Sequence, residues 1–565
     1  MDYRKQMQDD LQFVQGQMRP EAFDTMHQRH SANYKPTIWK YDFLQSLTNE
    51  YDEEIYKGRA EKLKENVMCM FDEAEGQFTK LQLIDKIKKF GLANLFKEEI
   101  EEALNSIASN NNKKACNVEE DLHATALCFR LLRQHGHKVS QDMFKGYLNE
   151  MGTFSKSICT NIKGMLELFE ASHLALEGEN ILDEAKAFSA ENLKEISSDL
   201  DSNIAKQVAH ALELPLHWRV KWFDVKWHIN VYEKEEHKNS ILLELAKLNF
   251  NMVQATHQEE LKEISRWWRN LGLIENLSFT RDRLVESFLW TVGLTFEPRS
   301  RCFRKWLTKV INLILIIDDV YDIYGSFEEL ESFTKAVDRW DSNEAQQLPD
   351  CMKICFQALY DITNEIAHAI QKEQGWGRVL PLLKKVWADF CKALFVEAKW
   401  YNKGYTPSLQ EYLGNAWITS SGPVLCLHAF LAVTHEVTQE MVDLVEANRD
   451  LIYCSSLITR LCNDLGTSTA ELERGDAPSS ILCHMREANV SEEIARKHIR
   501  EVIVKTWTKM NDDCFTQSPL LQPVVNIIAN VARVAQCIYQ FGDGFGVQDR
   551  ETKEHVLSLL IEPLI

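Results

Sequence analysis

Apolar residues recur with the spacing of amphipathic helices over most of the 565 residues of this chain. Segments such as LKENVMCMF, LQLIDKIKKFGLANLF and DLHATALCFRLLRQHG place apolar side chains at i, i+3, i+4 and i+7, which is the repeat of one helix face. No stretch shows strand-like alternation, and no fixed period of about 34–47 residues indicates a solenoid. The low content of Gly (22) and Pro (12) agrees with long helical runs. The pattern therefore predicts an all-α protein.

The character of the predicted helices changes between residues 214 and 240. Helices of about 10–15 residues precede this region, whereas the later ones are longer and more apolar. The region itself is rich in aromatic and basic residues, and Trp218, Trp222 and Trp227 are candidates for packing two domains together. We therefore predict three parts: an N-terminal arm over residues 1–30, a non-catalytic helical domain over 31–235 and a catalytic domain over 236–565.

The most apolar predicted helix leads directly into three carboxylates. Seven of the eight residues from 310 to 317 are apolar, and Asp318, Asp319 and Asp322 follow. A carboxylate near a buried helix needs a cation, a donor or water, because burying its charge alone costs several kcal/mol. On a helix, Asp318 and Asp322 would share one face, with Asp319 about 100° round. The spacing suits Mg²⁺, which proteins usually bind through one or two carboxylates together with the phosphates of a substrate. The alternative is that the acidic residues simply end a helix that emerges into water.

A second stripe of oxygen ligands lies in the segment RLCNDLGTSTAELERGD. Asn463, Thr467 and Glu471 recur every four residues, so a helix would present all three on one face. Arg460 stands one turn earlier on the same face, where it could meet an anion that the metal also holds. Asp464 points elsewhere and would orient its neighbours. A solvated polar face is the alternative, but the preceding SSLITRLC is not polar enough for one.

Arginines and aromatic residues complete the predicted site. Arg281 and Arg283 precede an amphipathic helix in FTRDRLVESFLW, where both could reach a phosphate, although surface ion pairs are the alternative. Two facing acidic helices with these arginines would hold several Mg²⁺ ions and a diphosphate, whose departure leaves a carbocation. A carbocation needs a dry pocket lined with aromatic faces. Trp290, Tyr539 and Phe545 are candidates for that lining, with ordinary core packing as the alternative.

Composition and charge narrow the class of partner. The formal net charge of −20 disfavours nucleic acid and anionic membranes as partners. No window of 18 apolar residues is evident, so we expect no stable membrane insertion. The 14 cysteines are scattered without a CxxC pair, as in the reduced thiols of a cytosolic protein. The acidic, Ser-poor N-terminal segment is unlike a signal or transit peptide, so we expect a cytoplasmic protein.

Together, LIIDDVYD, NDLGTSTAE, RDR, RLLRQHG and YNKGYTPSLQEYL resemble the motifs of plant class I terpene synthases, and the resemblance covers nearly the whole chain. It implies an all-α fold with two helical domains, an N-terminal helical barrel and a C-terminal catalytic helical bundle. It also implies a prenyl diphosphate substrate, a monomer, and three Mg²⁺ ions for which Mn²⁺ can substitute. The implied metal ligands are Asp318, Asp322, Asn463, Thr467 and Glu471.

The resemblance also assigns roles around the substrate. The implied catalytic residues are Asp318, Asp319, Asp322, Arg281, Arg283 and Arg460, the three arginines holding the diphosphate. The break at TSSGP, residues 419–423, corresponds to the kinked helix of this family. Further substrate contacts are expected from Thr419, Ser420, Trp290, Tyr539 and Phe545, besides the arginines and the carboxylates.

Three departures from the family pattern bear on the product. The tandem arginine that eight residues separate from Trp appears here as Arg29, His30 and Trp39, which argues against ring formation from the C10 substrate. Phe545 stands where many cyclising sesquiterpene synthases carry Tyr, although Asp543 remains. No DxDD motif occurs in the N-terminal half, so protonation-initiated cyclisation is not expected.

Three phrases, NYKPTIWKYDFLQSL, LIIDDVYDIYGS and FGDGFG, are most similar to the α-farnesene synthases, a branch with acyclic products. We predict ionisation of farnesyl diphosphate followed by deprotonation to an acyclic sesquiterpene, with the released diphosphate as a candidate base. The alternatives are an acyclic monoterpene such as β-ocimene from geranyl diphosphate, or quenching by water to nerolidol or linalool. A chain-elongating prenyl synthase would carry a second DDxxD motif. A non-enzymatic helical-repeat scaffold is the alternative from a different class.

Overall fold

The computed structural model describes residues 34–111, 121–196, 202–434, 438–474, 478–516 and 522–565. Within these ranges the chain is built from α-helices and short 3₁₀ turns, and it has no β-strand beyond one isolated antiparallel bridge. The all-α prediction is thereby confirmed. The predicted arm over residues 1–30, with Arg29 and His30, lies outside the described residues.

The first half of the chain forms short helices around a core of its own. Phe129 and Phe144 meet in that core with ring centres 5.1 Å apart, and Leu168 and Leu193 are fully buried beside them. The helices are α1 (Tyr41–Ser46), α2 (Glu54–Glu73), α3 (Gln77–Lys89), α4 (Lys97–Asn111), α5 (Leu122–Gln134), α6 (Ile162–Ser172), α7 (Asn180–Ile196), α8 (Ser202–Glu213) and α9 (Lys221–Tyr232).

The second half begins with a 32-residue helix, which the Asn239 side chain caps by accepting hydrogen bonds from two backbone N–H groups. The longer helices of this half form a bundle, as their wider apolar stripes predict. They are α10 (Ser240–Leu271), α11 (Leu273–Asn276), α12 (Leu284–Leu294), α13 (Arg301–Asp319), α14 (Phe327–Arg339), α15 (Ser342–Ala345), α16 (Asp350–Gln374), α17 (Val379–Lys403), α18 (Leu409–Thr419), α19 (Gly422–Val433), α20 (Gln439–Ala447), α21 (Arg449–Arg474), α22 (Ser480–Ala488), α23 (Glu492–Thr516), α24 (Gln522–Ile538) and α25 (Arg550–Leu560).

Two tryptophans of the boundary region pack the halves together. Trp218 stacks on Trp507 of α23, with ring centres 5.8 Å apart. Trp222 stacks on Phe250 and on Phe296, at 5.1 and 4.4 Å between ring centres. Both tryptophans belong to one hydrophobic core that continues from the first half into the second. Large aromatic surfaces of this kind dominate the energy of an interface.

Trp227 does not join the halves. Its ring stacks on His210 at 3.7 Å between ring centres and meets the edge of His228, and both partners belong to the first half. The expectation that all three tryptophans pack two domains together is therefore wrong for Trp227, because its place on α9 turns the ring towards α8. The proposed boundary at residue 235 stays a prediction.

Asn511 of α23 links the halves through polar contacts. Its Nδ2 donates to the carbonyls of His173 and Ala175 at 3.0 Å, and its Oδ1 lies 2.7 Å from the His217 ring. We expect Asn511→Ala to lower the free energy of unfolding by about 2 kcal/mol, because buried carbonyls lose their donor. Urea unfolding would measure the loss. Asn364→Ala is the control, since its Nδ2 bonds only within its own helix; an equal loss in both variants would contradict the prediction.

One stretch, Leu409–Val433, is long and apolar enough to cross a membrane, which the sequence pattern did not predict. More than half of its most apolar window is buried inside the fold. The stretch is also divided into α18 and α19 at Ser421, whose φ of 63° is left-handed, and Pro423 follows in the first turn of α19. A buried core helix passes the same test of length and composition, so no membrane role is assigned to it.

Candidate active site

The acidic motif lies where α13 changes its winding. The α-helix ends at Asp319, and residues 320–324 form a π-helical turn. The predicted regular helix is therefore wrong over the last part of the motif, where the wider π turn changes the direction of Asp322. Asp318 is half-buried and Asp322 is exposed, whereas Asp319 is fully buried. Single π turns are frequent at functional sites.

Arg281 holds the first two carboxylates of the motif. Its Nη2 donates to Asp318 Oδ2 at 2.5 Å, while its Nε and its backbone N–H each donate to Asp319 at 3.0 Å. The Tyr34 hydroxyl donates to Asp319 at 3.1 Å. Burial raises the pKa of Asp319 to about 6, although Arg281 lowers it. Asp319 is thus committed to positioning Arg281, while Asp318 and Asp322 remain accessible.

The second stripe lies on α21. Arg460 Nη1 donates to Asn463 Oδ1 at 3.2 Å, and Thr467 Oγ1 donates to the Asn463 carbonyl at 2.8 Å. Asn463 and Glu471 are half-buried and Thr467 is buried. The Asn463 side chain also forms a hydrogen bond with Tyr539. The predicted helical stripe is present, and its partly accessible oxygens face a crowded polar region.

Charges from the two motifs converge on one place. Burial raises the pKa of Glu397 on α17, Arg460 lowers it and Asp318 raises it further. Burial also raises the pKa of Tyr539, while Arg281 and Arg460 both lower it. Coulomb interaction weakens with distance, so charges that shift the pKa of one buried group lie near it. The two oxygen-ligand stripes are therefore on the same side of the bundle, as the diphosphate hypothesis requires.

Glu397 is a site residue that the sequence pattern missed. Thr419 Oγ1 donates to Glu397 Oε1 at 2.6 Å and accepts from Arg460 Nη2 at 3.0 Å, so it bridges a carboxylate and a guanidinium. Asn415 Nδ2 adds a longer hydrogen bond of 3.3 Å to the same carboxylate oxygen. The available signal was one acidic residue in the short, otherwise apolar run ALFVEA.

The break between α18 and α19 is held by its own side chains. The Ser420 hydroxyl donates to the Trp417 carbonyl at 2.7 Å and accepts from the Gly422 N–H at 3.2 Å. Gly422 packs so closely on α21 that a Cβ atom would lie 2.1 Å from the Ser456 hydroxyl. Ser420 therefore stabilises the break, and its hydroxyl is already engaged. Of the two predicted residues here, Thr419 is the one that contacts Arg460.

Asp464 plays the orienting role that the sequence predicts. The Tyr412 hydroxyl donates to both of its carboxylate oxygens, at 3.1 and 3.0 Å, and the Ser480 N–H donates to it at 2.9 Å. Its Oδ1 lies 3.9 Å from Arg460 Nη1. Asp464 is only 1% exposed, and these hydrogen bonds fix its carboxyl group behind Arg460.

The described hydrogen bonds of Arg283 go to backbone carbonyls and not to the acidic motif. Its Nη2 and Nε donate to the Gly546 carbonyl at 2.7 and 3.2 Å, within the segment 541–549, here called the C-terminal loop. Asp543 fixes the same turn, because its Oδ1 accepts from the Gly546 N–H at 2.6 Å. Arg283 therefore anchors the C-terminal loop, whereas Arg281 belongs to the carboxylate cluster.

Two of the three predicted aromatic residues lie against each other. Trp290 of α12 and Phe545 of the C-terminal loop are both buried, with ring centres 6.2 Å apart at an interplanar angle of 82°. The Trp290 Nε1–H is buried and has no hydrogen-bond partner among the described residues. Tyr539 differs, because its hydroxyl is engaged with Asn463. Trp290 and Phe545 thus form a buried aromatic pair between α12 and the C-terminal loop.

The segment 34–39, here called the N-terminal strap, is tied to the C-terminal loop over the start of α12. The backbone N–H of Ile38 donates to Gln548 Oε1 at 3.0 Å. The Trp39 indole and Gln548 Nε2 both donate to Glu286 Oε1, at 2.8 and 2.7 Å. Burial raises the pKa of Glu286, and these two hydrogen bonds lower it. The strap and loop therefore share one buried anchor.

The donor set fits Mg²⁺ and a diphosphate. In the described ranges, no three His, Cys, Asp or Glu side chains are close enough to hold an ion by themselves. Mg²⁺ usually keeps water ligands and shares substrate phosphates, so a few carboxylates suffice. Asp318 and Asp322 offer such carboxylates at the accessible end of α13. The buried Nε of Arg460 has no partner among the described residues and is a donor left for an anion.

Known families match both halves of the chain. Residues 38–212 match the family described as terpene synthase, N-terminal domain. Residues 269–509 match the family described as terpene synthase family, metal binding domain. Both oxygen-ligand stripes and all three arginines of the predicted site lie within the second match.

Full-length relatives agree with these matches. An alpha-farnesene synthase of Ricinus communis is 59% identical over 553 residues, covering 97% of this chain and 98% of that protein. An (E,E)-alpha-farnesene synthase of Malus domestica is 56% identical over 576 aligned positions, covering all of both chains.

Solved structures share the fold. A limonene synthase with 2-fluorolinalyl diphosphate superposes with a TM-score of 0.92 at 40% identity, over 95% of this chain and 100% of that one. An isoprene synthase from Populus x canescens, in complex with three Mg²⁺ ions and dimethylallyl-S-thiolodiphosphate, has a TM-score of 0.86 at 44% identity, over 93% of this chain and 99% of that one.

Proposed function

The chain belongs to the terpene synthase family, and we propose that it is a lyase that converts farnesyl diphosphate to the acyclic sesquiterpene (E,E)-α-farnesene. Identity of 56–59% to two α-farnesene synthases over nearly the whole chain carries this proposal. The convergence of Arg281, Arg460 and the two oxygen-ligand stripes gives it a chemical basis, because these groups would bind a diphosphate between them.

The side chains of the site have two functions in ionisation, metal binding and neutralisation of the diphosphate. Asp318, Asp322, Asn463, Thr467 and Glu471 would hold Mg²⁺. The bound ions supply positive charge that stabilises the diphosphate as it leaves. Arg281 and Arg460 would neutralise the same group from the protein side, and both are held in place by buried carboxylates before substrate arrives. The C1–O bond of the substrate breaks, and the electron pair leaves with the diphosphate.

The remaining cation must lose a proton rather than meet water. Trp290 and Phe545 present aromatic surface, which stabilises positive charge without acting as a nucleophile. The N-terminal strap and the C-terminal loop are joined at Glu286 and Gln548 beside this pair, so they would restrict the access of water. Loss of a proton from the farnesyl cation then yields the acyclic hydrocarbon, and the released diphosphate is our candidate base.

Product analysis tests the proposal directly. Purified protein with Mg²⁺ is incubated with farnesyl diphosphate and, separately, with geranyl diphosphate, and the products are identified by gas chromatography–mass spectrometry. We expect (E,E)-α-farnesene as the main product and a higher kcat/KM for farnesyl diphosphate. A monoterpene formed with the higher kcat/KM, or an alcohol as main product, would overturn the assignment.

We propose that three Mg²⁺ ions bind per active site, in analogy with the isoprene synthase complex, and that Mn²⁺ substitutes for them. Activity after chelation and re-addition of each metal would test both points. Cytoplasmic location and a monomeric state stay predictions that rest on the sequence.

The hydrogen bonds that join the N-terminal strap and the C-terminal loop at Glu286 should affect the proportion of alcohol among the products. In Gln548→Ala the loop loses its hydrogen bonds to Glu286 and to the Ile38 N–H, so water should reach the cation more often. We expect roughly a tenfold lower kcat/KM, as the loss of about 1.4 kcal/mol implies, with nerolidol or farnesol rising severalfold relative to farnesene. Gln357→Ala, at an exposed position on α16, is the matched control. An unchanged alcohol fraction in Gln548→Ala would refute the sealing role.

A further inference from the structure

A crevice between the two halves of the protein is lined by cations, although the chain as a whole is strongly acidic. It lies among α3, α5 and α9 of the first half and α23 and α24 of the second, and it has a volume of about 80 Å³. Six cationic side chains and only two carboxylates line it. We call it the cationic crevice, and the residues that carry the argument are Lys88, Lys221, Arg533, Gln134 and His217.

The two carboxylates of the cationic crevice are already paired. Asp85 lies 2.6 Å from Lys89 Nζ and 2.6 Å from Arg130 Nη2. Asp224 lies 3.5 Å from Arg219 Nη1 and also contacts the ring of His210. These pairs account for three of the six cations. No carboxylate of the lining is left for the other three.

Lys88, Lys221 and Arg533 have no carboxylate within 4 Å among the residues that the structure describes. Lys88 donates to Gln134 at 3.2 Å, and Arg533 donates to the His217 carbonyl at 2.8 Å. Burial and the neighbouring cations Lys221 and Arg130 hold the pKa of Lys88 well below its ordinary value, although Asp85 raises it. Uncompensated like charges at one crevice favour an anionic ligand.

The carboxylate of Glu297 does not fill this role. Its charge raises the pKa of Lys221, against the lowering effects of burial and of Arg533. However, Glu297 is engaged by Asn94 Nδ2 and by the Thr295 hydroxyl, and it is not part of the crevice lining. Neither Lys88 nor Arg533 therefore has a carboxylate within ion-pair distance in the described part of the crevice.

We propose that the cationic crevice binds an oxyanion of the phosphate class between the two halves of the protein. The volume of about 80 Å³ leaves room for a small polar group such as a phosphate. Lys88, Lys221 and Arg533 would neutralise the charge, and the Gln134 amide is a further donor. Free phosphate and diphosphate offer the same chemistry. The proposal does not depend on the terpene synthase activity.

Thermal unfolding of the full chain tests the site. The buffer contains EDTA, which suppresses metal-dependent binding at the catalytic site, and NaCl keeps the ionic strength constant while phosphate or diphosphate is added. A ligand that binds only the folded state raises Tm. We expect a rise of several degrees for the wild type, at least a fourfold smaller rise for the double variant K88Q/K221Q, and the full rise for K62Q/K505Q, which removes the same charge at exposed positions.

A second measurement separates loss of the site from damage to the fold. Without phosphate, K88Q/K221Q should have a Tm equal to or above that of the wild type, because like-charge repulsion is relieved. A larger shift with diphosphate than with phosphate, or the reverse, identifies the preferred anion and supports the proposal if the difference is lost in K88Q/K221Q. Equal shifts in both double variants, or no shift in the wild type beyond that of chloride, would overturn it.

Discussion

Replacing Asp318 by alanine should lower kcat by at least about 10²–10³-fold, the loss typical when one preorganised charge-stabilising group is removed. Asp318 is half-buried, and its carboxylate is held by Arg281 Nη2 at 2.5 Å. The substitution removes a metal ligand and also releases one arm of Arg281, so both sources of charge stabilisation weaken together. Helix content should not change, since the described hydrogen bond of Asp318 is to Arg281, which Asp319 also holds. Steady-state turnover and far-UV circular dichroism measure the two effects.

The matched control is Asp338→Ala on α14. Asp338 is an exposed aspartate whose ion pair with Lys392 lies on the surface, so its removal should change neither turnover nor stability by much. Chelation of Mg²⁺ should abolish wild-type turnover, and re-addition should restore it. Turnover close to the wild type in Asp318→Ala would remove the metal hypothesis for this motif.

A different effect follows for Asp319, because the structure assigns it a different role. Its two oxygens accept from Arg281 and from Tyr34, and it is fully buried. The motif alone suggests three similar carboxylates. Their difference arises from the π turn and from the position of Arg281, neither of which leaves a signal in the spacing of the acids.

The sequence predicted the helices and the two stripes because both depend on local periodicity. The apolar repeat of 310–317 and the four-residue spacing of Asn463, Thr467 and Glu471 determine which faces are presented, whatever the helices pack against. That the two stripes lie close together depends on tertiary structure, which local periodicity does not determine. Their shared ligand chemistry predicted it, and the effects of Arg460 and Asp318 on the pKa of Glu397 agree with it.

The contacts that the sequence could not predict join segments far apart in the chain. Arg283, whose role at the diphosphate stays a prediction, donates to the carbonyl of Gly546, which lies 263 positions later. Gln548 and Trp39 meet at Glu286 across similar separations. A single sequence carries no signal for such pairs, because one arginine or glutamine has many alternative partners of suitable chemistry.

Arg460→Met should remove nearly all activity and also destabilise the protein. Arg460 connects Asn463 with Thr419 by two hydrogen bonds of 3.2 and 3.0 Å, and it faces the buried carboxylate of Asp464. Although burial lowers the pKa of Arg460, the surrounding Tyr412 and acidic residues raise it above its ordinary value, so its charge is held firmly. We expect kcat/KM to fall by at least about 10²-fold and the free energy of unfolding by about 3 kcal/mol, because buried acids lose their cation.

Arg460→Lys separates the two effects. A lysine keeps the positive charge near Asp464, so most of the stability should return. A single ammonium group cannot reproduce the planar fork that now meets Asn463 and Thr419 at once, so the diphosphate would be held in a different orientation and kcat/KM should stay at least about tenfold below the wild type. Urea unfolding and steady-state kinetics on the same preparations measure both quantities. Full activity in Arg460→Lys would show that only charge matters at this position, and wild-type-like activity in Arg460→Met would remove Arg460 from the site.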